Sequence, residues 1–152
     1  MIKINKKVEY ALMVLKHIVE KNSDEPTSAR EICEKFNIPF DTTAKVMQVM
    51  NNAGILESTK GVKGGYFLKK ELDHINYLEF SELIEGKEFA MDCVKLKCSL
   101  IESCNITSPI NRLNQYLTLF FEGITLKDLL VENKLFDIKK LLNKKENHHE
   151  LN

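Results

Sequence analysis

Charge of one sign is missing from this chain: 22 Lys and Arg offset 22 Asp and Glu over 152 residues. The overall balance therefore points to no polyanionic partner, acidic substrate or membrane surface. No stretch approaches the ~18 apolar residues that span a bilayer, and the opening MIKINKKVEY lacks the apolar run of a secretory signal. A cytosolic protein is expected. No internal repeat is present, and no Ser/His/Asp or Cys/His set is placed for nucleophilic catalysis. His17 and His74 fall on or near helices, away from the cysteine-rich stretch, and His148 and His149 lie in the tail, so no enzyme is expected. Glycine and proline are also scarce, at six and three residues, so each marks a boundary.

What is present reads as one ordinary domain with appendages, at 43% hydrophobic and 29% charged residues. The charges are unevenly placed. Residues 1–70 carry 12 basic and 8 acidic side chains and the remainder 10 and 14, a +4 half followed by a −4 half, which hints at an N-terminal nucleic-acid-binding part. Val8, Ala11, Leu12, Leu15, Ile18 and Val19 recur at helical spacing after a capping Asn5. Ser28 can cap a short helix to about Phe36 that buries Ile32, Cys33 and Phe36. Asp41 can cap another to about Ala53, with Val46, Val49, Met50 and Ala53 facing inward and Gly54 stopping it. Two short helices joined by a tight turn form a helix-turn-helix. Ile55–Thr59 and Tyr66–Leu68, joined by Lys60-Gly-Val-Lys-Gly-Gly, form a hairpin. The fold class expected is thus mainly α with a small β-hairpin wing, a winged helix-turn-helix. A helix over Tyr77–Glu85 ends at Gly86; Pro109 opens a longer one that stops at Gly123; Thr125 can cap a last short helix, Leu126–Val131.

Three of the four cysteines, Cys93, Cys98 and Cys104, fall within twelve positions of a stretch that has no periodicity. In a reducing compartment this density calls for metal or redox chemistry rather than disulfides. Cys33 stands apart and reads as core.

At this point the chain resembles the Rrf2 family of bacterial winged-helix transcription regulators, which includes iron–sulfur-sensing and nitric-oxide-sensing repressors. The resemblance covers about residues 1–131. It rests on Glu9-Tyr10-Ala11-Leu12, Ala53-Gly54-Ile55-Leu56, Lys60-Gly61-Val62-Lys63-Gly64-Gly65-Tyr66, the cysteine triplet, and Ile124-Thr125-Leu126-Lys127-Asp128-Leu129. It implies a homodimer built on crossed long C-terminal helices, a DNA-binding head on each subunit, and an iron–sulfur cluster, [2Fe-2S] or [4Fe-4S], in the cysteine loop. The C-x4-C-x5-C spacing suits a cluster and differs from the paired C-x2-C knuckles of zinc ribbons. Cluster-biogenesis regulators of the family take a fourth ligand from a His three residues after the last Cys; here that residue is Thr107. In nitric-oxide-sensing relatives a carboxylate from the partner's first helix serves, and the matching position is Glu9. The metal ligands expected are therefore Cys93, Cys98, Cys104 and Glu9, the last a hard, displaceable oxygen on a soft centre.

For a double-stranded, palindromic DNA operator, Thr42, Thr43, Lys45 and Gln48 on the outer face of the second helix of the pair are expected to meet base edges. Lys60 and Lys63 in the wing, with Ser28 and Arg30 at a helix N-terminus, are expected to meet phosphates. Ile110, Leu113, Leu117, Phe120 and Phe121 form a stripe that a small head cannot bury alone, and are expected at the dimer interface. The organisation expected is a head over 1–75, a linking helix and cysteine loop over 76–106, a dimerisation helix and short following helix over 107–131, and a partly disordered tail over 132–152. The function expected is a repressor that senses redox state, nitric oxide or iron–sulfur status through a labile cluster. The alternative is a winged-helix interaction module with a structural metal or thiol switch and no specific DNA binding.

Overall fold

The first turn of α1, Lys6–Lys21, is organised by Asn5, whose side chain accepts from the Lys7 amide at 2.9 Å. Its buried face is Val8, Ala11, Val14, Leu15 and His17. In the computed structural model, which describes residues 4–89 and 98–131, this face meets α2 (Ala29–Phe36) and α3 (Phe40–Asn52). Ser28 caps α2 by accepting from the Glu31 amide at 3.1 Å.

The third helix departs from expectation in start and rotation. It begins at Phe40, with Pro39 at the cap and no side-chain cap hydrogen bond, so Asp41 lies inside the first turn instead of capping it. The inward stripe is Thr43, Val46, Met47 and Met50; Val49 is only half-buried and Ala53 is exposed. Met47 and Met50 have no exposed surface, and burying side chains of that size stabilises by roughly 1.5–3 kcal/mol each. Cys33 is half-buried, on the border of the core it was expected to fill.

Antiparallel strands β1 (Leu56–Thr59) and β2 (Gly65–Leu68) pair Leu56 with Leu68 and Thr59 with Gly65. Thr27 adds a bridge to the outer side of β2, with both Thr27–Tyr66 amide–carbonyl bonds at 2.9 Å. Gly65 is required for this approach, because a Cβ there would lie 2.7 Å from the Thr27 carbonyl oxygen. The hairpin is therefore tied to the start of α2.

After a short 3-10 turn at Leu72–His74 come α4 (Tyr77–Glu85), α5 (Thr107–Glu122) and α6 (Leu126–Leu130). Phe80 of α4 is fully buried in the same core as α1 and α3. Thr125 and Asp128 close a capping box on α6, and Tyr77 N–H to Ile124 O and Leu126 N–H to Ile75 O, at 2.8 and 2.9 Å, return the chain to α4. Leu126 is fully buried there. By contrast no residue of α5 is buried: Leu113 and Tyr116 are 51% and 69% exposed, while at its C-terminal end Phe121 lies 5.1 Å from Tyr77 and 5.0 Å from Phe89 between ring centroids. Among the described residues no helix is long and apolar enough to cross a membrane.

Candidate nucleic-acid interface and thiol site

The outer face of α3 carries Thr42, Lys45, Gln48 and Asn52, of which Lys45 and Gln48 are exposed and Thr42 is half-buried. Thr43 does not belong with them. Its side chain is fully buried and its hydroxyl donates back to the Pro39 carbonyl, four residues earlier, at 2.8 Å. A 100° advance per residue makes neighbouring Thr42 and Thr43 differ in environment, and a rotation of roughly 60° between the expected and the observed stripe explains the misassignment.

In the wing, Lys60 and Lys63 are both exposed, and Val62 between them is the most exposed large apolar residue described. Gly61 has φ +118°, a conformation closed to side-chain-bearing residues, and it makes the turn tight enough to project all three. Arg30 is exposed, whereas Ser28 spends its oxygen on the α2 cap and retains only a hydroxyl hydrogen for an outside acceptor. The structure thus leaves Lys45, Gln48, Lys60, Lys63 and Arg30 accessible.

A part-buried network ties α2 to α1. His17 Nε2 lies 2.8 Å from Glu31 Oε1 and its Nδ1 3.2 Å from Lys35 Nζ, while Lys21 donates to Glu31 Oε2 at 3.1 Å. An ammonium can only donate, so Nδ1 is the acceptor and Nε2–H the donor to Glu31. Burial works against ionisation of Glu31, but the bonds from His17 and Lys21 outweigh it and hold the carboxyl below its ordinary range.

Sequence reasoning missed two features. Phe40, 54% exposed, stands at the leading end of α3. Lys7 of α1 lines one open groove of about 390 Å3 with Lys45, Gln48 and Asn52, floored in part by Val49 and Ile84. Nothing in the local pattern of α1 relates Lys7 to α3; only the crossing of the two helices brings them together.

On the thiol side, Cys98 and Cys104 are free and half-buried, and Cys93 lies outside the described residues. Hydrogen bonds from the Thr107 hydroxyl, then from the Ile106 and Thr107 amides at the start of α5, lower the Cys104 thiol from its ordinary range. Thr107 therefore supports the anionic form of a neighbouring donor. Glu9 is half-exposed in the first turn of α1 and forms a short ion pair with Lys6. The one group of three His, Cys, Asp or Glu ligand atoms drawn together among the described residues is the exposed Glu71, Asp73 and His74, so Glu9 does not join Cys98 and Cys104 within one chain.

A family model described as an iron-dependent transcriptional regulator, Rrf2, matches residues 4–132. The chain belongs to the Rrf2 family. It is 33% identical over 140 residues to a protein of Aquifex aeolicus described as an HTH-type transcriptional regulator, covering 88% of this chain and 96% of that one. Over 144 residues it is 28% identical to the HTH-type transcriptional regulator NsrR of Bacillus licheniformis, with 92% and 99% covered. The solved structure of CymR, the global cysteine regulator of B. subtilis, shares the fold at a TM-score of 0.62 and 24% identity, covering 86% of this chain and 97% of CymR. The Rrf2 fold accounts for the helix pair, hairpin and long α5, and the chain is a helix-turn-helix transcriptional regulator rather than an enzyme.

Proposed function

We propose that the protein is a cytoplasmic homodimeric repressor that binds a palindromic duplex through α3 and the wing and alters its affinity with the state of an iron–sulfur cluster. The observation that carries the DNA part is the exposed set Lys45, Gln48, Lys60 and Lys63, displayed by a helix seated in the core and a hairpin bolted to α2 through Thr27 and Tyr66. Lys45 and Gln48 offer donors to base edges, and Thr42 offers a hydroxyl and a methyl. Lys60, Lys63 and Arg30 attract phosphates without reading sequence.

Cys93, Cys98 and Cys104 would hold the cluster, and the donor set fits: thiolates are its preferred ligands, and hydrogen bonds at Cys104 lower its thiol from the ordinary range. A bound cluster supplies an iron that nitric oxide or oxygen can attack. What the chain contributes is a loop ending at the first turn of α5, so that changes at Cys104 act directly on the start of the helix whose exposed Leu113 and Tyr116 seek a partner. Glu9 completes the set from the other subunit in this reading. In this reading the heads lie over 1–75 and the dimerisation region over 107–131, while the tail expected over 132–152 lies outside the described residues.

The lowered Cys104 thiol also favours a second reading, a thiol switch without iron. Iron and sulfide analysis of anaerobically purified protein separates the two. Stoichiometric iron lost in each of Cys93→Ser, Cys98→Ser and Cys104→Ser supports the cluster; a metal-free parent whose duplex affinity responds to disulfide-forming oxidants supports the switch.

A further inference from the structure

The groove between α1 and α3 carries two ammonium groups, Lys7 and Lys45, and two carboxamides, Gln48 and Asn52, but no carboxylate. Lys7 is exposed and forms no ion pair among the described residues, whereas its neighbour Lys6 is paired with Glu9. Two cations converging on one groove without a counter-charge repel each other, and an anion lying between them removes that repulsion. The carboxamides offer N–H donors to the same occupant. The groove is open and shares Thr42, Lys45 and Gln48 with the face of α3 assigned to base edges, so its occupant is continuous with whatever α3 binds.

We infer that this groove is a second contact for the DNA sugar–phosphate backbone, with Lys7 as its anchor, on the flank of α3 where Lys7 stands and additional to the phosphate contacts of the wing. This inference rests on the DNA-binding reading above. It explains why Lys7 and Asn52 line the groove although neither belongs to the exposed helix-turn-helix face read from sequence. Because a phosphate contact carries no base information, Lys7 contributes affinity and registers α3 in the major groove without altering which sequence is preferred.

The test compares Lys7→Gln, Lys7→Arg, Lys60→Gln and Lys127→Gln as anaerobically purified full-length dimers. Lys127 lies outside the groove and faces Asp73 at 3.5 Å. The probe is a duplex of about 30 base pairs enriched from a random library by the parent protein. Affinity is read by fluorescence anisotropy across a salt series, and far-UV circular dichroism confirms the fold of each variant. Lys7→Gln is expected to lower the slope of log Kd against log salt by about 0.9 per contact and to weaken binding about 5- to 10-fold near 0.1 M salt, with the ranking of mismatched duplexes unchanged. Lys7→Arg is expected to retain the parent slope, as is Lys127→Gln. A parent slope in Lys7→Gln beside a reduced one in Lys60→Gln would overturn the groove contact while leaving DNA binding intact. Absence of duplex binding by the parent would overturn both. Lys7-dependent binding of inorganic phosphate at millimolar concentration, with an unaltered DNA slope, would assign the groove to a free anion instead.

Discussion

At the scale of single residues, the buried hydroxyl of Thr43 shows how a side chain that looks like a base contact becomes structural. It donates to Pro39 O at 2.8 Å where α3 has no capping side chain. Thr43→Val keeps the volume and removes one of the two bonds that the Pro39 carbonyl accepts, the other coming from the Thr43 amide at 3.1 Å, at a cost of about 1 kcal/mol. Chemical denaturation is expected to show that loss, with DNA sequence preference intact; a change of preference at parental stability would return Thr43 to the interface. Glu31 gives a pH prediction. Its carboxyl is held below the ordinary range in the folded state, because the bonds from His17 and Lys21 prevail over burial. The contribution is therefore present above the unfolded carboxyl range and lost as pH falls through the folded value. Thermal melts of Glu31→Gln should lose less stability than the parent between about pH 5 and pH 3. Parallel acid limbs would show that Glu31 does not drive that loss.

Elements were legible where a local signal defined them. The caps Asn5, Ser28 and Thr125, and the stop at Gly86, can be read from side-chain chemistry, and α1, α2, α4 and α6 begin or end accordingly. Thr125→Ala should cost about 1 kcal/mol by removing one half of the capping box, measurable in urea unfolding; an unchanged midpoint would mean that tertiary packing alone holds α6. The rotation of α3 was less legible because Val46, Met47, Val49 and Met50 offer nearly equivalent apolar stripes. The choice of Met47 over Ala53 is made by the helices packed on α3, namely α1, α2 and α4, which local sequence does not contain. For the same reason the sequence exposed Lys45 and Gln48 as candidates but not their companion Lys7. Function should divide along these lines: Lys45→Ala is expected to relax base preference, and Lys60→Ala to weaken all duplexes alike with a salt slope smaller by about one. Equal effects on every duplex from both variants would leave α3 without a reading role.

For the whole molecule, the unburied α5 is the feature that one chain leaves incomplete. Leu113 is half exposed in a stripe whose far end, Phe121, is already packed on Tyr77 and Phe89. Leu113→Glu is expected to shift sedimentation from dimer to monomer and to weaken duplex binding by more than tenfold, since two half-sites are no longer linked. A dimer of parental affinity would place the interface elsewhere. The cysteine triplet was visible in the sequence, whereas the proposed ligation by Glu9 from a second subunit is something that neither spacing nor a single chain supplies. The central claim, that cluster state governs DNA affinity, is tested most directly by one titration. The enriched duplex is titrated with anaerobically purified protein before and after stoichiometric nitric oxide, with the visible chromophore followed in the same cuvette. The account predicts a bleached chromophore and a Kd at least tenfold weaker. A chromophore that bleaches while Kd stays constant, or a colourless protein that binds with full affinity throughout, would contradict it.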